Sequence, residues 1–485
     1  MNYRFAVAAK TPLTLSQFLF IVGFNSILLG IVLISSKAFT ISETEAASLG
    51  HAQPFWESAE IAAQTGVPLL IRSHIRPDNP HSYERIEQFS TNTDYDHLDG
   101  IAWNILAIST SIRPTKKTIL QRNYLFYLLS VWLYSFALAW RHRSWIVGPS
   151  TFTACSFLIF LPQVQTLLRA DYVVQGMVAV APIFMSVYLL STCEIFSNPH
   201  RNLRYWLPAI LIYSFFLRYI SVIHSANQSS MLIMSVVCLP LIYLRFRPQR
   251  RVLWGVLFFS IIGVLSFEVF VIGLREYRDQ VMHFTHPQPE HTDHTTFSII
   301  YLGIGSFENS IGLTPSDDYM WHQSLIEQKA EELGVTITPE ERAIIGGAPK
   351  AEFLYFRLWT AYVKQHPFEY LKNRIQANAW IIARFALRGV YPQMSGAEQA
   401  AWCAIAVLSW AIIGWIMWAF LYYRLPIESV IILISGYMSM ALMGILHHPV
   451  RGVFSGMPVL LIVITGAVLL ILGILRRPYF HKLDL

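Results

Sequence analysis

The chain has 485 residues, 54% of them hydrophobic and only 14% charged, with a formal net charge of +6. Its mean hydropathy is +0.43. Soluble globular domains carry roughly a quarter charged residues, so an ordinary soluble domain is excluded, and the basic excess follows the ends of apolar blocks, which makes nucleic-acid binding unnecessary to explain it.

In chain order, Arg4 and Lys10 precede the first apolar block, 14–38. A signal h-region usually runs about 7–15 residues before a small-residue cleavage site. This block is longer and lacks such a site, so it reads as an anchor. A long polar segment follows, from Thr40 to Arg122. Six apolar blocks come next, near 123–140, 144–162, 173–192, 206–223, 231–244 and 252–274. A second long segment runs from Arg275 to Ala401, and three blocks close the chain at 402–422, 427–446 and 456–475. A membrane-crossing helix needs about 20 predominantly apolar residues, and these ten blocks approach or meet that length.

Basic clusters set an orientation. Arg141 and Arg143 follow block two, Arg201 and Arg204 block four, and Arg245, Arg247, Arg250 and Arg251 block six. Arg424 follows block eight, and Arg476, Arg477 and Lys482 follow block ten. All these ends, and the N-terminus, lie on one side if ten helices cross with both termini in the cytoplasm. The expected fold is therefore all-α and polytopic, with about ten transmembrane helices and two long, largely helical extracytoplasmic loops. The divisions are 1–39 (N-terminus and first helix), 40–122 (first loop), 123–274 (helices two to seven), 275–401 (second loop) and 402–485 (helices eight to ten and the cytoplasmic tail).

Long loops without a job are uncommon, and both of these fall on the outer side. In the first, Asp94, Asp96 and Asp99 precede an amphipathic stretch, Ile101–Ile108. Such a carboxylate can activate a hydroxyl, help hold a divalent metal, or be an acid favoured by a helix dipole. Spacing alone favours the dipole reading. Asp171 stands at the mouth of the fourth block, as a functional acid or an N-cap. Arg218 and Arg451, the latter in His447-His448-Pro449-Val450-Arg451, break the positive-inside pattern at outer loops. Each fits an anionic partner such as phosphate or snorkelling to headgroups. His283, His286, His291 and His294 crowd the start of the second loop without a cysteine, which favours a structural or substrate-contacting role over zinc. The four cysteines lack Cys-x-x-Cys spacing and read as small core residues.

Within the second loop, Glu327–Leu333 reads as a helix stopped by Gly334. Thr338-Pro339-Glu340-Glu341 reads as a helix start. Glu352–Leu387 reads as amphipathic and broken near His366-Pro367, and Trp359, Phe368 and Trp380 suit either a core or the bilayer interface. The stretch His294–Leu313 carries Gly303-x-Gly305. No strand-and-helix unit surrounds it, and no Walker pattern exists elsewhere. It reads as a backbone turn approaching a membrane-level site.

The plan of one long outer loop after helix one and another after helix seven resembles the GT-C class of integral-membrane glycosyltransferases, which includes protein O-mannosyltransferases and lipid A aminoarabinose transferases. His294, Phe297, Tyr301, Gly303, Gly305, Asn309, Gly312 and Asp318 resemble a pattern of uncharacterised members of that superfamily. Asp94, with Ala102 and Asn104, is similar to its first-loop acidic motif. Asp171 resembles the second acidic position. Arg451, after His448, resembles an arginine near the last helices, and Lys364–Leu371 resembles the stretch ahead of helix eight. The acidic motif usually lies directly after helix one, where this chain has Glu43 and Glu45, so Asp94, Asp96 and Glu45 all stand as candidates for the base.

The resemblance implies an inverting transfer of sugar from a polyprenyl-phosphate donor to an extracytoplasmic lipid, glycan or protein, in the bacterial inner membrane. Asp94 or Asp96 would activate the acceptor, and Asp171 would assist it or a divalent metal. Arg218 and Arg451 would hold the donor phosphate. His294, Tyr301, Asn309, Asp318 and His448 would contact substrate. A ligase or polymerase of O-antigen type is the enzyme alternative, and a membrane transporter is the alternative from another class.

Overall fold

The computed structural model describes residues 13–42, 70–72, 83–85, 116–161, 165, 168, 180–197, 199–223, 225–282, 296–314, 323–344, 352–386 and 396–423. The described fold is overwhelmingly helical, and its core falls into two hydrophobic clusters.

The first cluster is an apolar bundle. Helix α1, Leu15–Ser35, starts at Thr14 through a capping box. Thr14 Oγ1 accepts from the Gln17 amide at 3.3 Å, and Gln17 Oε1 accepts from the Thr14 amide at 3.0 Å, so two donors orphaned at a helix start are satisfied. A short α2, Lys37–Thr40, follows. Helix α3 (Lys116–His142) packs against α1, α4 (Val147–Ser156) and α5 (Ala181–Ser197). Helices α6 (Pro199–Ile223) and α7 (Ser225–Phe246) pack on α5, and α6 packs along α8 (Arg250–Met282). Tyr124, Tyr127 and Tyr134 of α3 are fully buried, and the Tyr127 hydroxyl donates to the Cys155 carbonyl at 3.0 Å. Asn25 of α1 donates to Ser135 of α3 at 3.0 Å, the kind of polar link that joins helices where apolar contact alone does not discriminate.

Three of the described helices are long and apolar enough to cross a membrane, over Leu15–Ser35, Leu120–His142 and Arg250–Phe270. Helix α3 forms the buried centre, whereas α1 and α8 leave large apolar side chains such as Ile27, Ile34, Trp254 and Val269 exposed. That surface calls for an apolar surrounding, and a membrane protein follows.

Two close approaches need glycine. A Cβ at Gly148 of α4 would lie 3.1 Å from both Ala139 and Ile21. A Cβ at Gly263 of α8 would collide with the Leu211 carbonyl of α6 and lie 2.9 Å from Ser214 Cβ. At the end of α3, Arg143 adopts a left-handed φ of 50°. Its amide donates to Trp140 O, and the Ser144 amide donates to Ala139 O, closing the helix as a Schellman turn normally built on glycine. The Arg143 guanidinium gives the reason for a side chain here. It donates to Glu194 of α5 at 2.8 Å, Arg141 donates to the same carboxylate at 3.2 Å, and Glu194 is buried. Two basic residues read only as topological markers thus also hold the ends of α3 and α5 together.

The second cluster comes from the second long segment: α9 (Thr296–Ile304), α10 (Gln323–Glu332), α11 (Pro339–Ile344), α12 (Glu352–Gln365) and α13 (Pro367–Ala386). Helix α10 ends in a Schellman turn. Gly334 has φ 64°, its amide donates to Glu331 O, and the Val335 amide donates to Ala330 O. Helix α11 starts with the expected capping box between Thr338 and Glu341, and α12 breaks from α13 at His366. Helix α14, Gly396–Tyr423, carries apolar block eight and packs on α13.

The first long segment departs from the helical expectation at residues 70–72 and 83–85, an antiparallel pair of strands, while Lys116–Arg122 at its end begin α3. Strand β1, Leu70–Arg72, pairs with β2, Tyr83–Arg85, placing Leu70 opposite Arg85. Pro77, Asp78, Asn79 and Pro80 between them are residue types that interrupt helices and favour turns.

Candidate functional site

Of the candidate site residues, Arg218, Tyr301 and Asn309 are described, as are Phe297, Gly303, Gly305 and Gly312 of the resembling pattern. Asp94, Asp96, Asp171, His294, Asp318, His448 and Arg451 lie outside the described residues, as do Glu45 and the other second-loop histidines His283, His286 and His291.

Arg218, near the C-terminal end of α6, forms an ion pair with Glu268 of α8. Both side chains are about one-third exposed, at 31% and 33%. The neighbouring residues in sequence join the same two helices: Phe267 packs against Phe215 at 5.2 Å and Tyr219 at 6.0 Å. The sequence marks Arg218 as an arginine out of pattern, and Glu268 is an acid within the apolar block 252–274, but nothing in the chain joins them. The signal was present, since two opposite charges on neighbouring apolar helices each need a partner.

Tyr301 belongs to the core of the second cluster. It is 1% exposed and packs against Tyr355, with ring centroids 6.0 Å apart. Asn309 staples the turn after α9. Its amide nitrogen donates to the carbonyls of Phe307 at 2.9 Å and Leu313 at 2.8 Å, and its oxygen accepts from the Leu313 amide at 2.9 Å. Gly312, with φ 62°, occupies the left-handed position this turn requires. At the other end of α9, the Glu352 carboxylate accepts from the Phe297 amide at 2.9 and 3.0 Å and so caps the helix start.

The turn is also held from α12 and α13, by Arg374, which the sequence does not mark, and by Glu369 and His366, which lie in the Lys364–Leu371 stretch. Arg374 of α13 is buried and donates to the Gly303 carbonyl. Its guanidinium lies over the Tyr370 ring at 5.4 Å. Burial lowers its pKa from the usual arginine value, while Tyr370 and Tyr362 oppose that shift. Glu369, in the first turn of α13, accepts from the Ser310 amide at 2.6 Å and from its hydroxyl at 2.7 Å. His366 Nδ1 lies 3.7 Å from the same carboxylate. Tyr362 is fully buried, and its phenol is pushed well above the usual tyrosine range, first by burial and then by the charge of Glu369.

Thus Ser310, Tyr362, His366, Glu369 and Arg374 converge on the Gly303–Leu313 turn. Glu369 and His366 form its partly open edge, with side chains 27% and 31% exposed, and can exchange hydrogen bonds with a hydroxylated ligand. The detectable signal was the row Asn373, Arg374 and Asn378, polar residues on the inward face of an amphipathic helix. Among the described residues, Asn373 Nδ2 and Asn378 Oδ1 have no hydrogen-bond partner.

No group of three or more His, Cys, Asp or Glu suited to a metal ion occurs among the described residues. Cys155, Cys193 and Cys238 are buried free thiols, as expected of small core residues, and Cys403 is partly buried. Comparison of the chain with protein-family models, with curated proteins and with solved structures finds no match.

Proposed function

We propose that the protein is a membrane glycosyltransferase of the GT-C type, moving a sugar from a polyprenyl-phosphate donor to an acceptor outside the cytoplasm of a bacterial cell. The observation that carries this reading is the position of the Gly-x-Gly stretch. The segment that resembles the superfamily pattern is the hub of the second cluster, clamped at Gly303 by Arg374 and at Ser310 by Glu369. Such clamping suits a rigid wall for a positioned substrate. Tyr301 backs that wall and Asn309 shapes it. Asp94 or Asp96 is the base toward the acceptor hydroxyl, with Asp171 assisting it or a divalent metal. Arg451 holds the donor phosphate and stabilises it as it leaves, and Arg218 joins it by exchanging its Glu268 partner for phosphate. The remaining contacts come from His294, Asp318 and His448. Ten membrane crossings with both termini in the cytoplasm place all these groups on one side.

Transfer measured in membranes tests the assignment. Asp94→Asn and Asp171→Asn each lower the rate by at least about 100-fold if these carboxylates do general acid–base work. Full activity in both variants contradicts it. A membrane transporter is the second reading, and the Arg218–Glu268 pair between two apolar helices favours it, since charges so placed often line a solute path.

A further inference from the structure

Helix α13 has two faces. Tyr370, Asn373, Arg374, Ala377 and Asn378 turn toward the second cluster. Phe368, Leu371, Lys372 and Ile375, spaced at three, four and seven residues, share the other face. Phe368 is 85% exposed and Leu371 57% exposed. This face does not meet open water on all sides. It forms one wall of a cleft of about 440 Å³ whose other wall is Gly396, Gln399, Ala400 and Cys403 of α14.

We infer that this cleft seats a bilayer phospholipid with an anionic headgroup, so that α13 lies at the membrane surface and is anchored there by lipid. Continuity names the occupant. The apolar wall runs on from Cys403 to Val407, one turn along the same face of α14 and exposed, in a helix of 28 residues carrying one of the long apolar blocks. A surface continuous with a helix that carries apolar block eight is covered by acyl chains. Charge names the headgroup. Lys372 is the charged residue among those lining the cleft, and no acid lines it. A lysine beside an apolar helix face snorkels to phosphate. The inference is independent of the transferase reading.

The test uses the full-length protein with its native cysteines replaced, carrying Phe368→Cys or, as an aqueous control, Glu331→Cys, each labelled with a polarity-sensitive fluorophore in nanodiscs. At Phe368 the emission shifts to the blue and is quenched by brominated acyl chains, while at Glu331 it is not. In a separate measurement, phosphatidylglycerol retained on the purified protein falls about fivefold relative to phosphatidylcholine in Lys372→Glu, the scale of one basic residue at an anionic surface, and is preserved in Lys372→Arg. Three results overturn the inference: aqueous emission at Phe368, retention indifferent to Lys372→Glu, or displacement of the retained lipid by micromolar polyprenyl phosphate. A fourth is blue-shifted emission that vanishes when the protein is diluted below a dimer's association range, which assigns the cleft to a second copy.

Discussion

Arg374 shows how one side chain can organise a loop. Buried and bonded to the Gly303 carbonyl, it supplies a charge-assisted hydrogen bond where water cannot substitute. Arg374→Ala removes a contact worth about 1.5–3 kcal/mol and leaves the carbonyl buried. Amides from Tyr301 to Leu313 then exchange hydrogen faster in the full-length protein, and unchanged exchange contradicts the clamp. Gly263 acts by absence. Gly263→Ala forces α6 and α8 apart and lowers stability by about 1–3 kcal/mol, read as a lower melting temperature in detergent; an unchanged melting temperature means the helices do not approach as closely as described. Residue pairs such as Arg374 with Gly303, or Arg218 with Glu268, were not legible in the chain. Their partners stand 71 and 50 positions apart, and only packing reveals which charged group meets which. Asn309 was legible as part of a turn. Its engagement with three backbone groups, which makes it a staple, was not.

Elements with local causes were read well. The α10 stop rests on Gly334, the α11 start on Thr338 and Glu341, and the α12–α13 break on Pro367, all of which act within one helical turn. The strand pair at Leu70–Arg72 and Tyr83–Arg85 escaped because three-residue strands carry too little periodicity to show. The aromatic residues separated by environment. Trp359 joined the cluster of Phe297 and Phe356, while Phe368 stayed exposed. Helix α12 also carries a pH signature. Tyr355 and Tyr362 are buried, and burial raises both phenols above their ordinary value of 10.0. The sign follows from linkage. Unfolded tyrosine ionises near pH 10 while these two resist, so their contribution is complete below that pH and is lost as pH climbs above it. The second cluster therefore loosens in alkali, with ionisation at 295 nm delayed for at least these two tyrosines. Normal titration of every tyrosine in the folded protein contradicts the burial.

At the scale of the whole molecule, apolar blocks one to three and five to eight lie in helices, because long apolar runs have few other ways to satisfy their backbone in a membrane. Three of these helices are long and apolar enough to cross on the described residues. The ion pairs add to the parity of basic clusters. Arg141 and Arg143 meet Glu194 where α3 and α5 both end, so these helices finish on the same side. Glu194→Gln strips a buried carboxylate from two arginines and costs about 3–5 kcal/mol, seen as reduced yield of folded protein from membranes; a wild-type yield contradicts that role. The catalytic reading rests on outer-loop carboxylates and on the hub at Gly303–Leu313, and one assay addresses it directly. Proteoliposomes holding the full-length protein are given polyprenyl-phosphate sugar labelled in the sugar, with extracytoplasmic envelope fractions as acceptors. Label is expected to leave the lipid and become covalently bound to an acceptor, and Asp94→Asn together with Asp171→Asn to abolish this. Label that stays on the lipid with every donor and acceptor offered, or that crosses the membrane without forming a new bond, contradicts it.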